Sequence, residues 1–190
     1  MSKELEVLFN SKARPKILKL FFQNEEATFN LKDISKKCQI SKRIVQKELK
    51  KLRKIKLLKF KIQKRKKVYS LNPKFLFLSE IRAMIFRLTP LYLSDLKPLF
   101  RRNKKIKLLV ASGVFLQEKK SPIDLLIVGD KIKKSKITRQ IRRLESEVGR
   151  DIKWSLMTAE EFDYRTEMHD RFLKDIFDHS HKKIIDRLKT

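Results

Sequence analysis

Residues 30–71 read NLKDISKKCQISKRIVQKELKKLRKIKLLKFKIQKRKKVYSL, and the fold of the amino-terminal part of the chain turns on this stretch. Asn30 stands where a helix cap is expected, with Asp33 three residues on, the spacing of a capping box. The helix it opens carries Leu31, Ile34 and Ser35 to about Cys38. Gln39 and Ile40 make a tight turn, and Ser41 is placed to cap a longer helix from Lys42 to about Lys54. Along that helix Val45, Leu49, Leu52 and Ile55 recur at helical spacing and predict one core face. The opposite face carries Arg43, Gln46, Lys47, Lys50 and Arg53. Two strand-like runs follow, 57–62 and 68–71, with Lys64, Arg65, Lys66 and Lys67 at the hairpin tip between them.

A lysine-rich helix face is commonly just a solvated face. Such a face mixes charge signs at i,i+4 spacing, yet between Lys42 and Lys67 the sole acid is Glu48. Four consecutive cations at a hairpin tip also repel one another unless an anion neutralises them. Two helices and a basic hairpin in this order form the pattern of a winged helix: a cationic helix for a major groove, a cationic wing for the backbone. The expected partner is double-stranded DNA. The expected contacts are Ser41, Lys42, Arg43, Gln46, Lys47 and Lys50 from the helix, and Lys64, Arg65, Lys66 and Lys67 from the wing.

Composition sets the frame. The chain has 190 residues, 41% hydrophobic and 37% charged, with a formal net charge of +27. That excess points to polyanions. It is unevenly spread, with 22 Lys or Arg against 6 Asp or Glu between Met1 and Asn72. No apolar run approaches the ~20 residues that span a bilayer, and the start, Met1 to Glu4, lacks the apolar core of a signal peptide. No membrane association is expected. The one cysteine, Cys38, forbids an internal disulfide, suits a reducing cytoplasm and reads as core filler. A cytoplasmic, nucleoid-associated protein is the expectation.

Around the opening stretch, Leu5, Leu8 and Phe9 suggest a short helix stopped at Asn10. Ser11 caps a second helix with Pro15 in its first turn and Ile17, Leu18, Leu20, Phe21 and Phe22 on its apolar face. Thr28 and Phe29 form a brief strand, and the domain closes near Pro73. Residues 75–100 place Phe77, Ile81, Met84, Ile85, Leu88, Tyr92, Leu96 and Phe100 at roughly helical spacing, broken at Thr89 and Pro90. Strands are then expected over 106–111, 123–128, 152–157 and near Ile184 and Ile185, with helices over 135–148, from Thr158, and over 170–177. Strands alternating with helices imply a small α/β domain. The expected fold class is thus α+β: a winged helix-turn-helix domain over 1–74, a helical connector over 75–104 and an α/β domain over 105–190.

The first segment resembles the winged-helix domains of prokaryotic transcriptional regulators. The resemblance rests on residues 11–14, 31–36 and 41–58. The last segment resembles the minimal nucleotidyltransferase domain of the DNA polymerase beta superfamily: an apolar strand, a glycine, a gap, then acids on the next strand. Gly113 and Asp124 fall on that pattern. Val114 replaces the serine, Pro122 stands at the first acid position and Lys153 at the last. Two-metal chemistry needs all three carboxylates, so the resemblance implies no catalytic residues, no metal and no cofactor. It leaves at most a cleft for a nucleotide or other anion at Gly113, Asp124 and Lys153. The combination resembles a group of transcriptional regulators of archaea and uncultivated bacterial lineages.

A DNA-binding transcriptional regulator, not an enzyme and expected as a homodimer, is the leading reading. The alternatives are a nucleotidyltransferase acting on protein or RNA, and an RNA-binding protein, whose usual aromatic sheet face is not evident. Three histidines, His169, His179 and His181, lack a neighbouring acid or cysteine cluster and read as surface residues. Operator, effector (small molecule or nucleotide) and the sense of regulation are not encoded legibly.

Overall fold

The computed structural model describes residues 3–87, 93–116 and 120–188. The chain segregates into two compact units, one of Met1–Pro90 with Arg142–Asp151, the other of Leu91–Ile141 with Ile152–Thr190.

In the first unit, α1 (Lys3–Phe9) stops at Asn10, whose φ of 42° is the left-handed conformation expected there. Leu5 is buried, whereas Leu8, expected beside it, points to solvent. The Ser11 hydroxyl accepts the amides of Ala13 and Arg14 and starts α2 (Ala13–Phe22), whose Ile17, Leu18, Leu20, Phe21 and Phe22 are all buried. After β1 (Phe29–Asn30), the Asn30 side chain accepts the Asp33 amide at 3.0 Å and caps α3 (Leu31–Cys38). Gln39, at φ 54°, turns the chain into α4 (Lys42–Lys54). Strands β2 (Leu58–Gln63) and β3 (Lys66–Leu71) complete an antiparallel sheet in the order β1-β3-β2. This succession of helices and strands is the winged helix-turn-helix that the sequence predicts.

Three details differ from expectation. Ile55 is 54% exposed because it lies at the carboxyl-terminal cap of α4. There Lys56 turns left-handed (φ 62°), the helical period no longer applies, and Leu57 and Leu58 fill the core instead. Ser41 occupies the cap position of α4, but its side chain makes no capping hydrogen bond. The wing turn is just Lys64 and Arg65, since Lys66 and Lys67 already pair with Gln63 and Ile62.

The expected connector is divided. Helix α5 (Leu78–Arg87) joins the first core through Ile85, with Phe75, Leu78, Ile81 and Met84 packed against it. Helix α6 (Leu93–Arg101) belongs to the second unit, where Leu96 and Phe100 are fully buried. The expected positions Leu88, Thr89, Pro90 and Tyr92 lie outside the described residues.

The second unit is built on β4 (Ile106–Ala111), β5 (Leu125–Gly129), β6 (Trp154–Met157) and β7 (Lys182–Asp186), in the order β6-β5-β4-β7. Only β5 and β6 run parallel, linked by α7 (Lys134–Val148); the other pairings are antiparallel. Leu108, Val110, Leu126 and Val128 pack with Met157, Leu173 and Ile176. That core is covered by α8 (Ala159–Glu167) and α9 (Arg171–Asp178); Thr158 caps α8 as expected, and Asp170, expected as the first residue of the last helix, caps it instead. Strands β5 and β6 start at Leu125 and Trp154, two residues later than their apolar runs. Among the described residues, no helix is long and apolar enough to cross a membrane.

Candidate nucleic-acid interface

Helix α4 divides cleanly by burial. Val45, Leu49 and Leu52 are at most 2% exposed. Ser41, Lys42, Arg43, Gln46, Lys47 and Lys50 are all exposed, so the structure brings the six expected helix contacts to the surface together. The four wing cations, Lys64, Arg65, Lys66 and Lys67, are exposed as well.

Glu48 explains how the surface stays one-signed. The only acid of the helix is 4% exposed and faces inward. Its carboxylate accepts Arg14 Nε at 2.7 Å, with Lys51 Nζ at 3.7 Å. Arg14 also donates to the Phe9 carbonyl, so this pair fastens α4 to α2 and α1. The position was legible, because residue 48 falls three after Val45 and beside Leu49, on the core face.

The wing is joined to the helix by a ring contact. The Arg53 guanidinium lies 4.0 Å from the centroid of Phe60, and Lys67 Nζ approaches the same ring at 5.7 Å. Arg53 therefore serves as a strut between helix and wing as well as a surface cation. At the tip, Lys64 and Arg65 have φ of 49° and 61°. A two-residue turn with both φ positive is the primed type whose twist matches the flanking strands; its usual residues are Asn and Gly, not Lys and Arg.

Periodicity alone missed two exposed apolar side chains within this surface: Ile44, 47% exposed beside Arg43, and Ile62, 71% exposed opposite Lys67. Their signal was being apolar where the helical and strand patterns call for polar residues.

Behind α3, Lys19 is buried and donates to the Glu147 carbonyl at 2.8 Å. Burial pulls its pKa down to about 8, against the raising influence of the Glu147 carboxylate. Asn24 donates to the Gly149 carbonyl, so both side chains satisfy carbonyls around the end of α7. Gly149 sits at φ 84°, and a Cβ there would lie 2.6 Å from the Lys19 carbonyl carbon, so only glycine fits. Cys38, 1% exposed, is core filler as expected, with burial pushing its thiol up to about 12.

In the second unit Gly113, Asp124 and Lys153 do come together, through the carboxylate. Asp124 is 4% exposed; one oxygen accepts the Val114 amide at 2.7 Å, the other the Lys153 amide at 2.8 Å. A Cβ on Gly113 would fall 2.2 Å from that carboxylate. Asp130 accepts the Ala159 amide and pairs with Lys107, whose hydrogen bond holds the carboxyl below its ordinary pKa. Each histidine uses Nδ1 on a nearby carbonyl: His169 on Glu167, His179 on Asp175, His181 on His179. Among the described residues no group of three or more His, Cys, Asp or Glu could hold a metal ion.

No family model and no curated protein matches the chain. Among solved structures, the chain is similar to ZitR of Lactococcus lactis, at 25% identity, covering 48% of this chain and 61% of that one, with a TM-score of 0.35. It is also similar to MepR, a transcription regulator of the Staphylococcus aureus multidrug efflux pump MepA, at 19% identity, 55% and 73% coverage and a TM-score of 0.38. A MepR variant bound to an oligodeoxyribonucleotide is similar at 19% identity, 54% and 71% coverage and a TM-score of 0.37. The chain thus spans about three fifths of the ZitR chain it matches, and the likeness is partial in each case.

Proposed function

We propose that the chain is a transcriptional regulator that binds double-stranded DNA through its first unit, with α4 in the major groove and the wing along the backbone. One observation carries this reading: the exposed face of α4 and the wing tip hold cations without a free acid, because Glu48 is turned into the core. Arg43, Gln46 and Ile44, at the start of the helix, meet base edges; Lys64 to Lys67 meet phosphates. Ser41, free of capping, offers its hydroxyl to a phosphate near the same helix end. Ile44 is suited to a thymine methyl, the apolar feature of the major groove.

Titrating duplex DNA across a salt series tests this. Log affinity falls linearly with log salt, by about 0.9 per phosphate neutralised. Alanines at Lys64, Arg65, Lys66 and Lys67 weaken all sequences about equally, whereas alanine at Arg43 or Gln46 relaxes discrimination. Ile44→Ala removes sensitivity to exchanging thymine for uracil in a selected site. Absence of duplex binding at low salt overturns the reading.

The second unit does not transfer nucleotides in this proposal. Support comes from Asp124, whose two oxygens are both engaged by backbone amides, and from Lys153 at an acid position. Transfer of label from radiolabelled nucleoside triphosphates with Mg²⁺ or Mn²⁺, abolished by Asp124→Ala, would restore the enzyme reading. The regulator acts in the cytoplasm as a homodimer, since one recognition helix covers few base pairs and two-fold symmetry doubles the site.

A further inference from the structure

The second unit carries its own one-signed surface, which the winged helix does not account for. Residues 101–105, between α6 and β4, supply Arg101, Arg102, Lys104 and Lys105; residues 131–136, between β5 and the first turn of α7, supply four lysines. All eight side chains are exposed, and neither segment contains an acid. The register of the sheet brings the segments together, since Ile106 at the start of β4 pairs with Gly129 at the end of β5. The backbones approach so closely that a Cβ on Gly129 would fall 2.0 Å from the Lys105 carbonyl oxygen. Lys105 Nζ then donates to the Lys131 carbonyl at 3.1 Å. Asp130, the acid beside the second segment, is already taken by Lys107 and the Ala159 amide. Among the described residues, none of the eight cations has an acidic partner.

Gathering eight like charges opposes folding through self-repulsion, and several of them crowd the amino-terminal end of α7, where the helix dipole already disfavours cations. From this geometry we infer that residues 101–105 and 131–136 form a second polyanion site, which binds the phosphate backbone of duplex DNA without reading bases. The choice of DNA as the polyanion rests on the reading of the first unit. A lipid surface fits less well, because basic membrane-binding surfaces insert apolar side chains. The exposed large hydrophobics described in this unit, Tyr164 and Met168, belong to α8 and its end instead. Single-stranded nucleic acid calls for aromatic stacking platforms, and these two segments contain no aromatic residue.

The test compares three charge-removing pairs in the full chain: Arg102→Ala with Lys104→Ala, Lys133→Ala with Lys134→Ala, and the wing pair Lys64→Ala with Arg65→Ala. Binding to labelled duplex is followed by fluorescence anisotropy from about 50 to 300 mM KCl. Each second-unit pair is expected to lower the magnitude of the salt slope by about 1 to 2, at about 0.9 per lost phosphate contact. Affinity drops several-fold for all sequences alike, with no loss of thermal stability and with sequence discrimination unchanged. If neither second-unit pair moves the slope while the wing pair does, this inference fails and the first-unit reading stands. If the second-unit pairs lower it and the wing pair does not, this site stands and the first-unit reading fails. Patch-dependent pelleting with phosphatidylserine vesicles, at a salt concentration where duplex no longer binds, would assign the surface to lipid and overturn it. Tighter binding of single-stranded RNA than of duplex would overturn it equally.

Discussion

At the tip of the wing, local strain and charge coincide. Lys64 and Arg65 both sit in the left-handed region, where a side chain other than Gly or Asn costs about 1 kcal/mol or more. Replacing them with Asn and Gly relieves that strain and removes two cations. Lys64→Asn with Arg65→Gly should therefore raise the free energy of unfolding by about 1–2 kcal/mol while weakening duplex binding. Chemical denaturation and anisotropy on the same variant check both halves. Lys19 gives a second residue-scale prediction. Its pKa is about 8 when folded against an ordinary 10.5, chiefly because burial disfavours the charge. Below pH 8 the lysine is charged in both states and the native state carries the desolvation cost. Above it the native lysine loses its proton first, so stability rises toward pH 10.5. Cys38 acts oppositely above pH 9, since its buried thiol stays protonated to about 12 while the unfolded one ionises. Lys19→Met retains Cys38 and isolates the lysine. The stability of the native sequence relative to this variant should increase by about 1 kcal/mol between pH 7.5 and 9, read from urea midpoints at each pH.

Between elements, the Arg14–Glu48 pair is the polar contact that sets the face α4 presents. With a side-chain exposure of 6%, Glu48 depends on Arg14 at 2.7 Å for its principal partner. Removing the arginine alone leaves a buried carboxylate, so Arg14→Ala should destabilise by about 3 kcal/mol. Replacing both, Arg14→Leu with Glu48→Met, should cost clearly less, because no charge is stranded. Urea unfolding of the two variants decides it; equal losses would mean that the pair acts only through packing. Glu48→Gln should leave the salt slope of duplex binding unchanged, since the side chain faces the core and not the exposed cationic face of α4.

On the scale of the whole molecule, a net charge of +27 means the folded chain repels itself. Salt screens that repulsion and the attraction to DNA alike, with a Debye length of about 10 Å at 0.1 M. Thermal stability should therefore rise, and duplex affinity fall, over one titration in KCl; differential scanning calorimetry alongside anisotropy measures the opposed trends. Assembly is tested separately. Light scattering should give the homodimer mass at tens of micromolar with and without DNA; a monomer mass in both would remove the two-fold reading. Within the apolar stretch 75–100 the described side chains divide, with Leu76 and Phe77 exposed. Ile85 is buried in the core of the first unit, and Leu96 and Phe100 are buried within the second.

The sequence by itself determined the caps at Asn30 and Thr158, the strand and helix order and the cationic helix and wing. These follow from local chemistry: Asn30 on the Asp33 amide, Thr158 on the Glu161 amide, apolar residues at period 3.6. Partnership across the chain was decided only by the tertiary structure. Glu48 looked like one acid among cations until Arg14, 34 residues earlier, was folded against it. Asp124 stood in the sequence as a lone acid on its strand, and the fold brings the Val114 and Lys153 amides onto its two oxygens. The second basic surface exists only because β4 and β5 pair with Ile106 opposite Gly129. Local spacing fixes which way a side chain points along its own element. Which charge it meets depends on strand register and helix packing between distant segments, and that is where these three assignments were made.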